Sequence, residues 1–298
     1  MFEFFTRKRL KRRGLSSGKR RRKTNDSQFR EWLRNGKLVC GLLFLFFAVG
    51  ISTWIILSSG GMEIFSGKPL QTFVVVSVIT ATFMIHWHVS LPDTFRKNSR
   101  VLLMLLVIAG QLALVKLGGF LNETISQEAA TDYKFLVAPY AFAAMMISLL
   151  VGRRHATFAV VYSSLIGGLM VEQFWAFRFL VYSLICGFAA IYLANAVRKR
   201  SRLVMAGVYV GLVCTVLAVT LGEITIPIGF AEFAEQWELV GKQALSAVMV
   251  SILTAVLVGG ILPMVEVMFR ITTDMSWMEL SDLNHPLLKQ MTIEAPGT

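Results

Sequence analysis

Eight stretches of this 298-residue chain are long and apolar enough to cross a lipid bilayer, and no other feature limits the fold as strongly. They lie at about 38–57, 71–91, 101–121, 137–152, 156–172, 179–197, 203–222 and 244–266. Each is near the ~20 residues that bridge a ~30 Å hydrocarbon layer at 1.5 Å per residue. Within lipid, backbone N–H and C=O groups must find partners inside the protein. The sequence therefore predicts an all-α, polytopic membrane helix bundle of about eight transmembrane helices. Only 16% of the residues are charged, against about a quarter in soluble domains, and mean hydropathy is +0.62. The fourth and fifth stretches are short, with only Gly152, Arg153, Arg154 and His155 between them. A single helix with two arginines at its centre would be costly in lipid, so the pair is read as two helices.

Charge sets the expected orientation. Residues 1–37 carry fourteen Lys and Arg against Glu3, Asp26 and Glu31, so eleven of the twelve net positive charges sit in this tail. The other basic connections are Arg96, Lys97 and Arg100; Arg153 and Arg154; Arg198, Lys199, Arg200 and Arg202; and Arg270. They fall at every second connection, and the connections between them are poor in Lys and Arg. The positive-inside rule then predicts both N and C termini in the cytoplasm. The basic region before the first apolar run is longer than a secretory signal has, so that run reads as an uncleaved anchor. The expected organisation is a basic cytoplasmic tail (1–37), a first transmembrane anchor (38–57), a short outer loop (58–70), a seven-transmembrane region (71–266) and a cytoplasmic linker (267–298). The tail, with Lys11, Arg12 and Arg13 and then Lys19 to Lys23, is expected to bind anionic lipid, at about 1 kcal/mol per basic residue near the surface. Nucleic acid is the less favoured partner.

Few residues offer chemistry. Cys40, Cys186 and Cys214 sit in apolar runs without metal-ligand or redox spacing, and read as packing. His86 and His88 flank Trp87, but residues i and i+2 of a helix point to opposite sides, so an interfacial aromatic belt is expected rather than a metal site. Gln111 is the most central polar side chain and is expected to hydrogen-bond a neighbouring helix. Lys116 can snorkel outward. Glu172 and Arg178 border one loop and can pair there. Glu266 is expected to reach the interface without a partner, and Pro263 to kink the last helix near Gly259 and Gly260. Gly167-Gly168 and Gly259-Gly260 permit close helix approach. The stretch 230–240 reads either as an interfacial helix or as an ordinary loop helix. Asn122-Glu123-Thr124 is a chance-level glycosylation sequon. No Gly-rich phosphate loop, catalytic carboxylate pair or nucleophile motif is present, so no catalytic centre is expected.

After the last apolar stretch, Thr273 or Asp274 can cap a short helix and Asn284 a second one. Here the run Glu279, Leu280, Ser281, Asp282, Leu283, Asn284, His285, Pro286, Leu287 and Leu288, followed by Glu294, Ala295, Pro296, Gly297 and Thr298, carries a resemblance. It is similar to the junction of the bacterial seven-transmembrane HD-domain phosphohydrolases, the PgpH-type cyclic-di-AMP phosphodiesterases among them. Pro263, Glu266, Phe269, Thr272 and Thr273 fit the same pattern. The resemblance implies one anchor helix, an extracellular domain, seven helices and a cytoplasmic HD domain holding a divalent metal pair. Only residues 58–70 stand where the extracellular domain is expected, and the HD domain would begin after Thr298. None of the family's metal ligands or catalytic residues can be placed on this chain, and His285 is part of the linker motif.

The expected function is a membrane-embedded sensory or anchoring module of an HD-type phosphohydrolase in cyclic-di-AMP signalling, with no catalytic residue or cofactor of its own and a separately encoded HD domain as a possible partner. The alternatives are a transporter or channel, and a scaffold whose tail recruits partners.

Overall fold

The computed structural model describes residues 36–58, 69–92, 97–129, 136, 138–171, 173–194, 197, 199–225 and 233–280. Nine helices cover these residues, and no strand occurs among them. They are α1 (Lys37–Ser58), α2 (Pro69–Ser90), α3 (Asn98–Ala129), α4 (Phe142–Leu150), α5 (Arg153–Met170), α6 (Gln173–Leu193), α7 (Arg200–Thr220), α8 (Phe233–Phe269) and α9 (Asp274–Leu280). Six of them are long and apolar enough to cross a membrane: α1, α2, α3, α6, α7 and α8. Hydroxyls on these helices return to their own backbone: Ser52 donates to Ala48 O, Thr80 to Val76 O and Thr254 to Val250 O, each at 2.7 Å. A hydroxyl so occupied costs little in an apolar setting.

The two remaining stretches depart from expectation. The fourth forms only α4, whose nine residues rise about 13 Å, well short of a bilayer. Pro139 accounts for the loss. It disfavours helical geometry at Ala138 and has no N–H of its own, and helix starts only at Phe142. The fifth stretch forms α5, which opens with Arg153, Arg154 and His155 and carries Ser163, Ser164, Gly167 and Gly168. α4 is enclosed, and α5 is partly so. Seven of the nine residues of α4 and ten of the eighteen of α5 are buried. α4 touches α3, α5, α6 and α8, and α5 touches α2, α3, α4 and α6. A segment walled by protein does not need the apolar surface that a lipid-facing one needs.

Two seams fix the bundle. Phe44 of α1, Phe83 and Trp87 of α2, and Tyr162 of α5 form one aromatic cluster, with Phe83 stacked on Trp87 at 5.2 Å and set against Tyr162 at 4.3 Å. Trp87 is fully buried, so it is not the headgroup anchor that the aromatic-belt reading supposed. The second seam joins α7 to α8. A Cβ on Gly207 would lie 2.8 Å from Ser251 O, and one on Gly211 would lie 2.6 Å from Val248 Cα. The backbones meet there, and the run Gly207-Val-Tyr-Val-Gly211 is the GxxxG pattern of close membrane-helix packing. Gly167 is similarly tight against the ring of Phe179, whereas nothing lies within 4 Å of a Cβ on Gly260.

Of the stretch 230–240, read as either an interfacial or an ordinary loop helix, residues 233–240 form the start of α8, which also contains Pro263, and residues 230–232 lie outside the described residues.

Candidate functional site at the linker junction

The last turn of α8 is tied to α9 by one carboxylate. Helix α8 ends with Arg270 in the left-handed region at φ 53°, and Ile271 N–H donates to Glu266 O at 3.1 Å, closing a Schellman turn. The reversal brings the linker back over Glu266. Its Oε1 accepts from Thr273 N–H at 3.1 Å and from the Thr273 hydroxyl, and its Oε2 accepts from the Ser276 hydroxyl. Thr273 is also the N-cap of α9: Trp277 N–H donates to its carbonyl at 3.0 Å, and Ser276 N–H lies 3.5 Å from its Oγ1. Thr273 and Met275 are both buried against the bundle. Glu266, expected to stand alone, is thus the residue on which the linker closes. A carboxylate that accepts several hydrogen bonds holds its donors more tightly than a neutral acceptor would. From sequence, neither Thr273 nor Ser276 could be assigned to it.

Beside this clasp lies a cavity of about 330 Å³. Its walls come from the end of α4 and the turn after it (Ser148 to Arg153), from Ala194 and Val197 after α6, and from Thr272 to Met275 of the linker.

Deeper in the bundle, Gln111 of α3 bridges the break that precedes α4. Its Nε2 donates to Pro139 O at 2.8 Å, and its Oε1 accepts from Ala143 N–H at 2.9 Å. The bond from Ala143, in the first turn of α4, is the interhelical hydrogen bond expected of Gln111, and the bond to Pro139 O adds a tie to the break before that helix. Around it, Tyr140 stacks on Tyr182 at 5.5 Å, and the Tyr140 hydroxyl is buried without a hydrogen-bond partner. Cys186 of α6 and Cys214 of α7 are neighbours in the bundle, a proximity that their sequence separation concealed. All three cysteines are buried free thiols. Arg178 pairs with Glu223. Glu172, its expected partner, lies outside the described residues. His86 Nδ1 is 3.4 Å from Tyr162 Oη, and the ring meets Phe158 edge-on at 4.5 Å.

Among the described residues, no three His, Cys, Asp or Glu side chains converge. Of the junction motif, Glu279 and Leu280 end α9. The rest, from Ser281 through His285 and Pro286 to Glu294, Ala295, Pro296, Gly297 and Thr298, lies outside the described residues.

An all-helical bundle with six bilayer-length apolar helices defines a polytopic membrane protein. Residues 68–273 match the family described as "7TM receptor with intracellular HD hydrolase", and the chain belongs to that family. It is 25% identical over 240 residues to the cyclic-di-AMP phosphodiesterase PgpH of Bacillus subtilis, covering 78% of this chain and 32% of that protein. It is 26% identical over 161 residues to the cyclic-di-AMP phosphodiesterase PgpH of Listeria monocytogenes, covering 54% of this chain and 21% of that protein. The chain thus spans a third or less of the length of these relatives. No solved structure matches it.

Proposed function

We propose that this chain is the membrane-embedded sensory and anchoring module of an HD-type phosphohydrolase acting in cyclic-di-AMP signalling. The observation that carries the reading is the Glu266 clasp. A transmembrane helix of the family's membrane region is joined to the following segment by a folded turn and a shared carboxylate, not by a loose tether. A displacement of α8 then moves α9 with it. In this reading the chain crosses the bacterial inner membrane eight times, with both ends in the cytoplasm. Six passages are the bilayer-length helices. The seventh is α5, and the eighth is the irregular segment before α4 together with α4 itself. The organisation is the one expected from sequence: tail 1–37 on anionic lipid, anchor 38–57, loop 58–70, seven-helix region 71–266 and linker 267–298. The HD domain, with its divalent metal pair, would attach after the linker motif or be supplied by a separate chain.

The test has two arms. Tags at residues 1 and 298 should both resist labelling from outside intact cells; labelling of either end refutes the topology. Membrane-bound cyclic-di-AMP hydrolysis should change when Glu266→Ala replaces the wild-type chain in the cell. Activity unchanged both in that variant and on deletion of the gene would refute the sensory role.

A transporter is the second reading. The observation in its favour is the broken segment at Gln111, because interrupted helices line the substrate sites of many transporters. Around the break, however, Tyr140, Ala141, Phe142 and Ala143 are closely packed. Solute flux in reconstituted vesicles would favour this reading over the first.

A further inference from the structure

The cavity beside the clasp has walls that are polar in a particular way. Val151 N–H and Gly152 N–H both donate to Ile147 O, so the carbonyls of the last turn of α4 are left to other donors, at the negative end of a helix. The wall carries one positive side chain, Arg153, and one negative, Asp274; the two make no ion pair with each other, and each is open to solvent. Leu149, Leu150, Ala194, Val197 and Met275 supply an apolar floor. A volume of about 330 Å³ is at the small end of the range for small-molecule sites.

A simple anion would face Asp274 and the carbonyl end of α4. A simple cation would leave Arg153 unanswered. A molecule with both charges answers both. We propose that this cavity binds a small zwitterion of amino-acid size. Its carboxylate pairs with Arg153, and its ammonium donates to Asp274 and the α4 carbonyls. Because the walls come from both the bundle and the linker, the occupant binds the docked linker better than the released one and shifts the population toward docking. This regulatory role rests on the sensory reading; the binding itself does not.

The test uses the full chain in lipid nanodiscs, with L-alanine and L-glutamine as probes and L-alaninamide and N-acetyl-L-alanine as singly charged controls. Calorimetric titration should show saturable binding of at least one zwitterion, about tenfold or more tighter than either control. Arg153→Gln and Asp274→Asn, both at exposed positions, should each weaken it by a similar factor. Bound zwitterion should slow amide exchange over residues 273–277. No saturable binding by either probe, equal binding of the controls, or affinity untouched by both substitutions would overturn the proposal. Glu266→Ala, measured without any probe, separates the two readings. If it loosens the linker and alters hydrolysis while nothing binds the cavity, the ligand site alone is wrong.

Discussion

Replacing Gly211 by alanine tests whether backbone contact between α7 and α8 holds the bundle together. The new Cβ would sit 2.6 Å from Val248 Cα and 3.3 Å from Ala247 O, both backbone atoms that cannot rotate away. Carbon atoms pack at about 3.5–4.0 Å, so the helices must part by about 1 Å at this point. A gap of that size forfeits about a quarter to a half of each affected dispersion contact along the seam, including those of Gly207 with Ala255 and Ser251. Overpacking of this kind costs about 1–3 kcal/mol, and the higher helix propensity of alanine returns about 0.5–1 kcal/mol. The expected net is about 1–2 kcal/mol of lost stability. Gly260→Ala is the matched control, on α8 with nothing within 4 Å of its Cβ. It should be neutral or stabilising by about 0.5–1 kcal/mol. Unfolding in mixed micelles of rising SDS content, followed by tryptophan fluorescence, reads both variants. The double variant Gly207→Ala/Gly211→Ala should cost less than the sum of its parts, because the helices separate only once. Stability of Gly211→Ala at or above wild type would refute the reasoning.

Gln111→Leu should lose about 2 kcal/mol or more, because Ala143 N–H and Pro139 O would be left unpaired in the interior; the same unfolding assay reads it, and faster exchange at Ala143 should accompany the loss. Gly152→Ala should cost about 1–3 kcal/mol from backbone conformation alone, since φ 119° and ψ 167° belong to glycine and the space for a Cβ is open; a loss near zero in the same micelle titration would show that the turn relaxes. The His155 imidazolium is disfavoured by burial and then by the charge of Arg100, which lowers its pKa below 6.5 in the folded chain. The unfolded chain therefore binds more protons between the folded and unfolded pKa values, and stability should fall as pH drops below about 6.5. His155→Gln should flatten that slope in unfolding titrations between pH 7 and pH 5.

Apolar stretches gave away the six bilayer-length helices because each faces lipid on part of its surface, and that face requires side chains such as Leu45, Val78 and Leu253. Hydropathy also picked out the stretches of α4 and α5, but it did not tell that the fourth makes only nine residues of helix walled by its neighbours. Pro139 was the available sign that the fourth stretch breaks, and Gly207 and Gly211 were a visible spacing at the tightest seam. The proximity of Cys186 to Cys214, and the pairing of Arg178 with Glu223 and of Glu266 with Thr273 and Ser276, depend on which elements meet or where a turn doubles back. Residue type and spacing do not encode that. Glu266 in particular lies one turn from a helix end, where a carboxylate usually needs no partner. Only the left-handed Arg270 aims the linker at it.

A nine-residue helix followed by two arginines cannot hold itself in a bilayer as it leaves the ribosome. α4 packs on α3, made earlier, and on α6 and α8, made later, while α5 packs on α2, α3 and α6. The walls around α4 are therefore complete only when α8 has been made, and a truncation before α8 should leave α4 open on one side rather than merely shorten the bundle.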